Sequence, residues 1–162
     1  MPLLLLLLAC SRGDTRGSLP CDEDLVDVYI VQASSDLLTV GVDTVSVDDT
    51  FDPAVTVFAH DGGRKLEDLV LGRFLDDGDD EFPCSFPPPE YACPQVSFDA
   101  PGDVVVLVQV YGECVGPDAG YLLMIDQDGI PPRVKHLGTA AVDRFDQPRE
   151  DDSDTDTGDL EG

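Results

Sequence analysis

The sequence predicts an all-β protein, an antiparallel β-sandwich of about seven to eight strands, and three observations carry that prediction. The acidic residues are mostly Asp, which bonds to nearby backbone and favours turns, where Glu would favour helix. Val recurs throughout, and 15 Gly with 13 Pro supply turn residues. No stretch sustains the i, i+3, i+4, i+7 apolar spacing of an amphipathic helix, whereas period-two alternation appears again and again.

The elements follow in order. Val26, Val28 and Ile30 share one face of a first strand; Leu38, Val40 and Val42 do so in a second, and Val55, Val57 and Ala59 in a third. His60-Asp61-Gly62-Gly63 reads as a turn carrying Asp-Gly. Residues 69–75 make a fourth strand, ended by the acidic turn 76–80, and Val96 with Phe98 mark a short fifth. The run VVVLVQVY at 104–111 is continuously apolar, as a central strand covered on both faces requires. Residues 120–125 (GYLLMI) close the set, giving a sandwich domain over 21–127. Ile130-Pro131-Pro132 interrupts any strand, so 128–147 is expected to lie along the domain as an extended segment. The last residues, 148–162 (PREDDSDTDTGDLEG), are too acidic and too poor in apolar residues to pack, and read as a disordered tail.

The first ten residues, MPLLLLLLAC, hold an apolar run far shorter than the roughly 20 residues a membrane-spanning helix needs. It has the length of a signal-peptide core. Leu7-Leu8-Ala9-Cys10 resembles the lipobox of bacterial lipoproteins. That resemblance implies a signal peptide over 1–9 and a diacylglycerol on Cys10. Residues 10–20 would then be the lipidated Cys and a polar, Gly-containing tether. Ser11 after the Cys implies an exported protein held at the bacterial outer membrane or cell surface. An ordinary cleaved signal, with Cys10 incidental, is the competing reading.

Five cysteines are an odd number for an oxidising compartment. Lipidation of Cys10 leaves Cys21, Cys84, Cys93 and Cys114, which allow three pairings. Cys84 and Cys93 flank a Pro-rich stretch, so a local bridge there is the first choice, with Cys21–Cys114 as the second bridge. A zinc site competes with this reading, but no Cys-x-x-Cys pair is present and neither His lies near a Cys in sequence.

The formal charge of −25, from 34 Asp+Glu against 9 Lys+Arg, argues against nucleic acid as a partner. Binding to a phosphate backbone depends on basic residues releasing counterions. Polybasic attraction to anionic lipid is excluded for the same reason.

Over residues 25–126 the chain resembles the bacterial pre-peptidase C-terminal domain. The likeness rests on Asp52-Pro53-Ala54-Val55-Thr56-Val57-Phe58 followed by Asp61-Gly62 and on the acidic Asp76-Asp77-Gly78 turn. Pro101-Gly102 ahead of 104–111, and Gly120-Tyr121 opening the last strand, complete it. The resemblance implies a jelly-roll sandwich that accompanies exported hydrolases without being catalytic. Some members of that family bind calcium, collagen or polysaccharide.

Asp76, Asp77, Asp79 and Asp80 offer several carboxylates in five residues, a candidate calcium site, since calcium takes six to eight oxygen ligands. A solvated turn is the alternative; no other cofactor is called for. The two histidines, His60 and His136, lie in no nucleophile or metalloprotease motif, so no catalytic residue is assigned. The expected function is a lipid-anchored, non-catalytic cell-envelope binding or accessory module. Its partners would be the membrane, through the anchor, and an unidentified protein or polysaccharide. A structural subunit of an envelope complex and a calcium-stabilised carbohydrate- or matrix-binding domain are the alternatives.

Overall fold

A computed structural model describes residues 12–33, 37–45, 51–79, 81–85, 92–112, 114, 116–127 and 132–145. Among the described residues eleven strands run in chain order. They are β1 (Arg12–Pro20), β2 (Leu25–Gln32), β3 (Leu37–Thr44), β4 (Asp52–Gly62), β5 (Val70–Gly78), β6 (Phe82–Pro83) and β7 (Ala92–Cys93). The set continues with β8 (Gln95–Asp99), β9 (Val104–Tyr111), β10 (Asp118–Gln127) and β11 (Arg133–Ala141). Short 3-10 turns occupy Leu66–Asp68 and Val142–Phe145.

One sheet has the order β1-β10-β3-β8, the other β11-β2-β9-β4-β5, and β6 and β7 form a separate two-stranded pair. Every pairing is antiparallel. The chain crosses between the sheets at each step from β1 to β4, makes a hairpin from β4 to β5, and crosses again to β8, β9 and β10. Without β11 and the β6–β7 hairpin, the remainder is the two-times-four strand order of a jelly roll, as expected.

The inter-sheet core is built from the alternate residues that strand geometry points inward. Val40 and Val42 of β3, Val55 and Val57 of β4, and Leu123 and Ile125 of β10 are all buried. β9 is covered on both faces. Val104, Val106, Val108 and Val110 enter the inter-sheet core, while Val105 and Leu107 enter a smaller outer cluster with Val26, Val28 and Phe145. Val26 and Val28 therefore share a face, but it is the outer one; the inward residues of β2 are Asp27, Tyr29 and Val31.

Both ends of the domain lie further out than the sequence indicates. Most of the expected tether, Arg12–Pro20, is an edge strand paired with β10 from Arg12↔Asp126 to Pro20↔Asp118. An edge strand needs a backbone ladder and few apolar anchors, and here Leu19 supplies one, fully buried. The segment after the Pro-Pro pair is likewise a ladder strand: β11 pairs with β2 from Arg133↔Gln32 to Ala141↔Leu25. It covers the outer residues of β2, and Phe145 beyond it is 8% exposed. The sandwich thus extends past both edges of 21–127. Two expected turns are strand as well: β4 continues through His60 to Gly62, and Asp76–Gly78 belong to β5.

Candidate functional site

On the outer face of the five-stranded sheet, where β2 ends and β9 begins, lies a pocket of about 240 Å³. Ile30, Gln32, His60, Arg64, Asp103, Arg133, Val134 and Lys135 line it. Register explains the grouping: Lys135 on β11 is opposite Ile30, and Arg133 is opposite Gln32, so both cations share the outer face with the buried Ile30. The loop after β4 delivers Arg64. That loop is held firmly. The His60 backbone N–H donates to Asp103 O at 3.0 Å, and His60 Nε2 lies 2.6 Å from Gly63 O. Arg64 N and Lys65 N both donate to Asp68 Oδ1 (3.1 and 2.8 Å), and Lys135 Nζ donates to Arg64 O. Gly63 turns the chain at φ 78°, and a Cβ there would meet Asp68 O at 2.0 Å, so no other residue fits without a shift.

Beneath β11 runs a buried polar network. Asp27, fully buried in the middle of β2, accepts from Tyr121 Oη of the opposite sheet at 2.5 Å and from Thr139 Oγ1 of β11 at 2.7 Å. His136 Nε2 lies 3.2 Å from Asp27 Oδ1, and its ring stacks on Tyr29 with centroids 4.6 Å apart. Tyr121 commits its proton to Asp27, so Tyr29 Oη donates to Tyr121 Oη, at 2.6 Å. Burial first, then Asp27, pushes the Tyr121 hydroxyl far above its ordinary range. Burial raises Tyr29 to about 12, partly offset by its bond to Tyr121. Both phenols stay protonated donors, which makes the network a clamp across the sheets. His136, its side chain 45% exposed, and Thr139 carry the network out to solvent.

Asp43 anchors a second cluster. It accepts from Ser85 N at 2.7 Å and from Ser85 Oγ, tying the β6–β7 insertion to β3. The expected cysteine partners are adjacent: Cα atoms are 5.1 Å apart for Cys84–Cys93 and 5.9 Å for Cys21–Cys114, the spacing of disulfides. Asp43, Cys84 and Cys93 are the one group of three metal-ligand side chains within 4.8 Å among the described residues. With the two sulfurs committed to each other, that group offers no thiolate to a metal.

Cys10 and Asp80 lie outside the described residues. Asp76 and Asp77 are consecutive on β5, so their side chains leave on opposite faces; Asp77 N donates to Asp76 Oδ1 at 3.0 Å. Asp77 and Asp79 join Glu81, Gln109 and Tyr111 along a separate acidic groove of about 270 Å³. The Tyr111 hydroxyl is raised there, by burial first and then by Glu23, Asp79 and Asp52.

Sequence reasoning missed both the pocket and the Asp27 network. The traces were present: an Asp inside the apolar run LVDVYIVQ, and two of the chain's few close basic pairs, Arg64-Lys65 and Arg133-Val134-Lys135. Compared with protein-family models and with curated proteins, the chain gives no match.

Proposed function

We propose that this protein is a lipid-anchored, non-catalytic binding or accessory module of a bacterial cell envelope, held outside the cytoplasm through Cys10. The observation that supports this best is the cysteine arithmetic. Cys21 with Cys114 and Cys84 with Cys93 lie at disulfide spacing, so Cys10 is the one cysteine of five left over. It falls where a lipobox needs it. Disulfides belong to oxidising compartments, which agrees with export. The resemblance to pre-peptidase C-terminal domains favours a carried, non-catalytic module. Intact-mass measurement of the membrane-extracted protein tests the reading. A diacylglyceryl adduct on a chain beginning at Cys10, with two disulfides, is expected. A soluble chain with a free thiol at Cys10 would overturn it.

The accessory-subunit form of this reading draws on β5, an edge strand on which Val70 and Phe74 are about half exposed. Apolar residues on an unpaired edge favour pairing with another chain. Cross-linking in intact envelopes, compared between the native protein and Phe74→Glu, checks it: a specific adduct lost in the variant is expected. An unchanged pattern would exclude β5 as the contact.

A further inference from the structure

Lys and Arg account for 9 of 162 residues in a chain of charge −25, yet Arg64, Arg133 and Lys135 are three of the eight residues around one cavity. Among the described residues the ion pairs are Lys65–Glu67 and His136–Asp27, so none of those three cations has a described carboxylate within 4.0 Å. Asp103 shares the cavity and is also beyond that distance. With 34 acidic residues in the chain, clustering three cations that pair with no described carboxylate runs against the trend of the composition. Like charges brought together around a concavity repel one another, and an anion between them relieves that repulsion.

We propose that this pocket binds the phosphate group of a small molecule, with Arg64, Arg133 and Lys135 as its ligands. Three cations against Asp103 leave a net charge of about +2, which suits a phosphate monoester carrying about −1.5 to −2 near neutral pH. Guanidinium groups present planar forks that match phosphate oxygens two at a time, and Lys135 adds a point charge. One ammonium proton of Lys135 is spent on Arg64 O, and that bond fixes the spacing of β11 from the Arg64 loop. The loop is already held by His60, Gly63 and Asp68, so little ordering is left for binding to accomplish. Ile30 gives an apolar floor that lowers local screening. At about 240 Å³ the pocket is below the ~300–1,000 Å³ of drug-sized sites, room for a phosphate and a small carrier. The strongly negative surface repels long polyanions, so a small phosphate is admitted where a nucleic acid is not.

This inference does not depend on the lipid anchor, and its test does not read the anchor. The full chain is titrated with inorganic phosphate while backbone amide signals are followed. Saturable shifts at Ile30, Arg64, Arg133 and Lys135 are expected. Arg64→Ala and Arg133→Ala should each weaken binding by about tenfold or more, the cost of a lost charge-assisted hydrogen bond. Arg133→Lys keeps the charge without the fork and should fall between; Arg16→Ala, on β1 of the other sheet, should change nothing. Shifts that never saturate, or that are unaltered in Arg133→Ala, would overturn the proposal. So would equal binding of succinate, which would replace a phosphate site by a general anion site. Competition by glycerol phosphate or by phosphatidic-acid vesicles supports the site and tells a soluble carrier from a lipid headgroup.

Discussion

Asp27 and Asp43 occupy similar depths, 0% and 5% exposed, one within β2 and the other near the end of β3, yet they hold different things. Asp27 accepts from side chains 94 and 112 residues away, on two other strands and in both sheets, and His136 joins from 109 residues away. Asp43 accepts from its neighbour Thr44 N and from Ser85 of the inserted hairpin. The first carboxylate therefore joins the sandwich halves and its added edge strand, while the second fastens a loop to one strand. Depth of burial alone does not rank a buried charge. What ranks it is how much separately folded chain depends on it.

Asp27→Ala should have the largest effect, a loss of about 3–5 kcal/mol in urea unfolding, because it removes the buried carboxylate to which the fully buried Tyr121 hydroxyl and the Thr139 hydroxyl both donate. The amides of β11 should lose hydrogen-exchange protection at the same time. If β11 stayed protected, the clamp would be unimportant to that strand. Gly17→Ala comes next. A Cβ there would lie 2.2 Å from Tyr121 Cζ, and the bond to Asp27 resists movement of that ring. Overpacking of this kind costs about 1–3 kcal/mol. In a Tyr121→Phe background the ring is no longer tethered, so the double variant should lose less than the sum of the two, and strict additivity would break the link.

Asp43→Ala should cost about 1–2 kcal/mol, confined to the hairpin. Limited proteolysis between residues 84 and 93 should speed up while β11 keeps its protection. A β11 response equal to that of Asp27→Ala would erase the distinction between the two aspartates. The smallest effect is in pH. Tyr29 titrates at about 12 folded against 10.0 for the free group, so the unfolded chain releases this proton first as pH rises. Its contribution is complete below pH 10 and is lost between pH 10 and about 12. Tyr29→Phe should flatten the alkaline limb of the stability profile; an unchanged limb would remove Tyr29 as its source.

The legible parts of the fold were those whose signal is local. VVVLVQVY at 104–111 announces a strand buried on both faces, and β9 is one. The nine-residue separation of Cys84 and Cys93 made their pairing the first choice of three, with Cys21–Cys114 as the remainder, and both pairs lie at disulfide spacing. β1 was not legible because a polar edge strand carries no apolar alternation; its place comes from the ladder it forms with β10. β11 was hidden by the neighbouring Pro131-Pro132, a sequence signal against strand that does not bear on the residues from Arg133 onward. Asp76 and Asp77 looked like a turn because Asp favours turns, but pairing with Val57 and Thr56 draws them into β5. The phosphate pocket left only faint marks, since its basic residues come from positions 64, 133 and 135.

By itself the sequence determined the fold class, the central strands and the overwhelming negative charge, and it favoured one cysteine pairing of the three possible. Each of these depends on composition, periodicity or short spacing. Tertiary structure alone decided where the sandwich begins and ends, which face of β2 enters the core, and where the few cations gather. Those outcomes depend on ladders and contacts between residues about 70 to more than 100 positions apart, and chain closure over such distances leaves no local pattern to read.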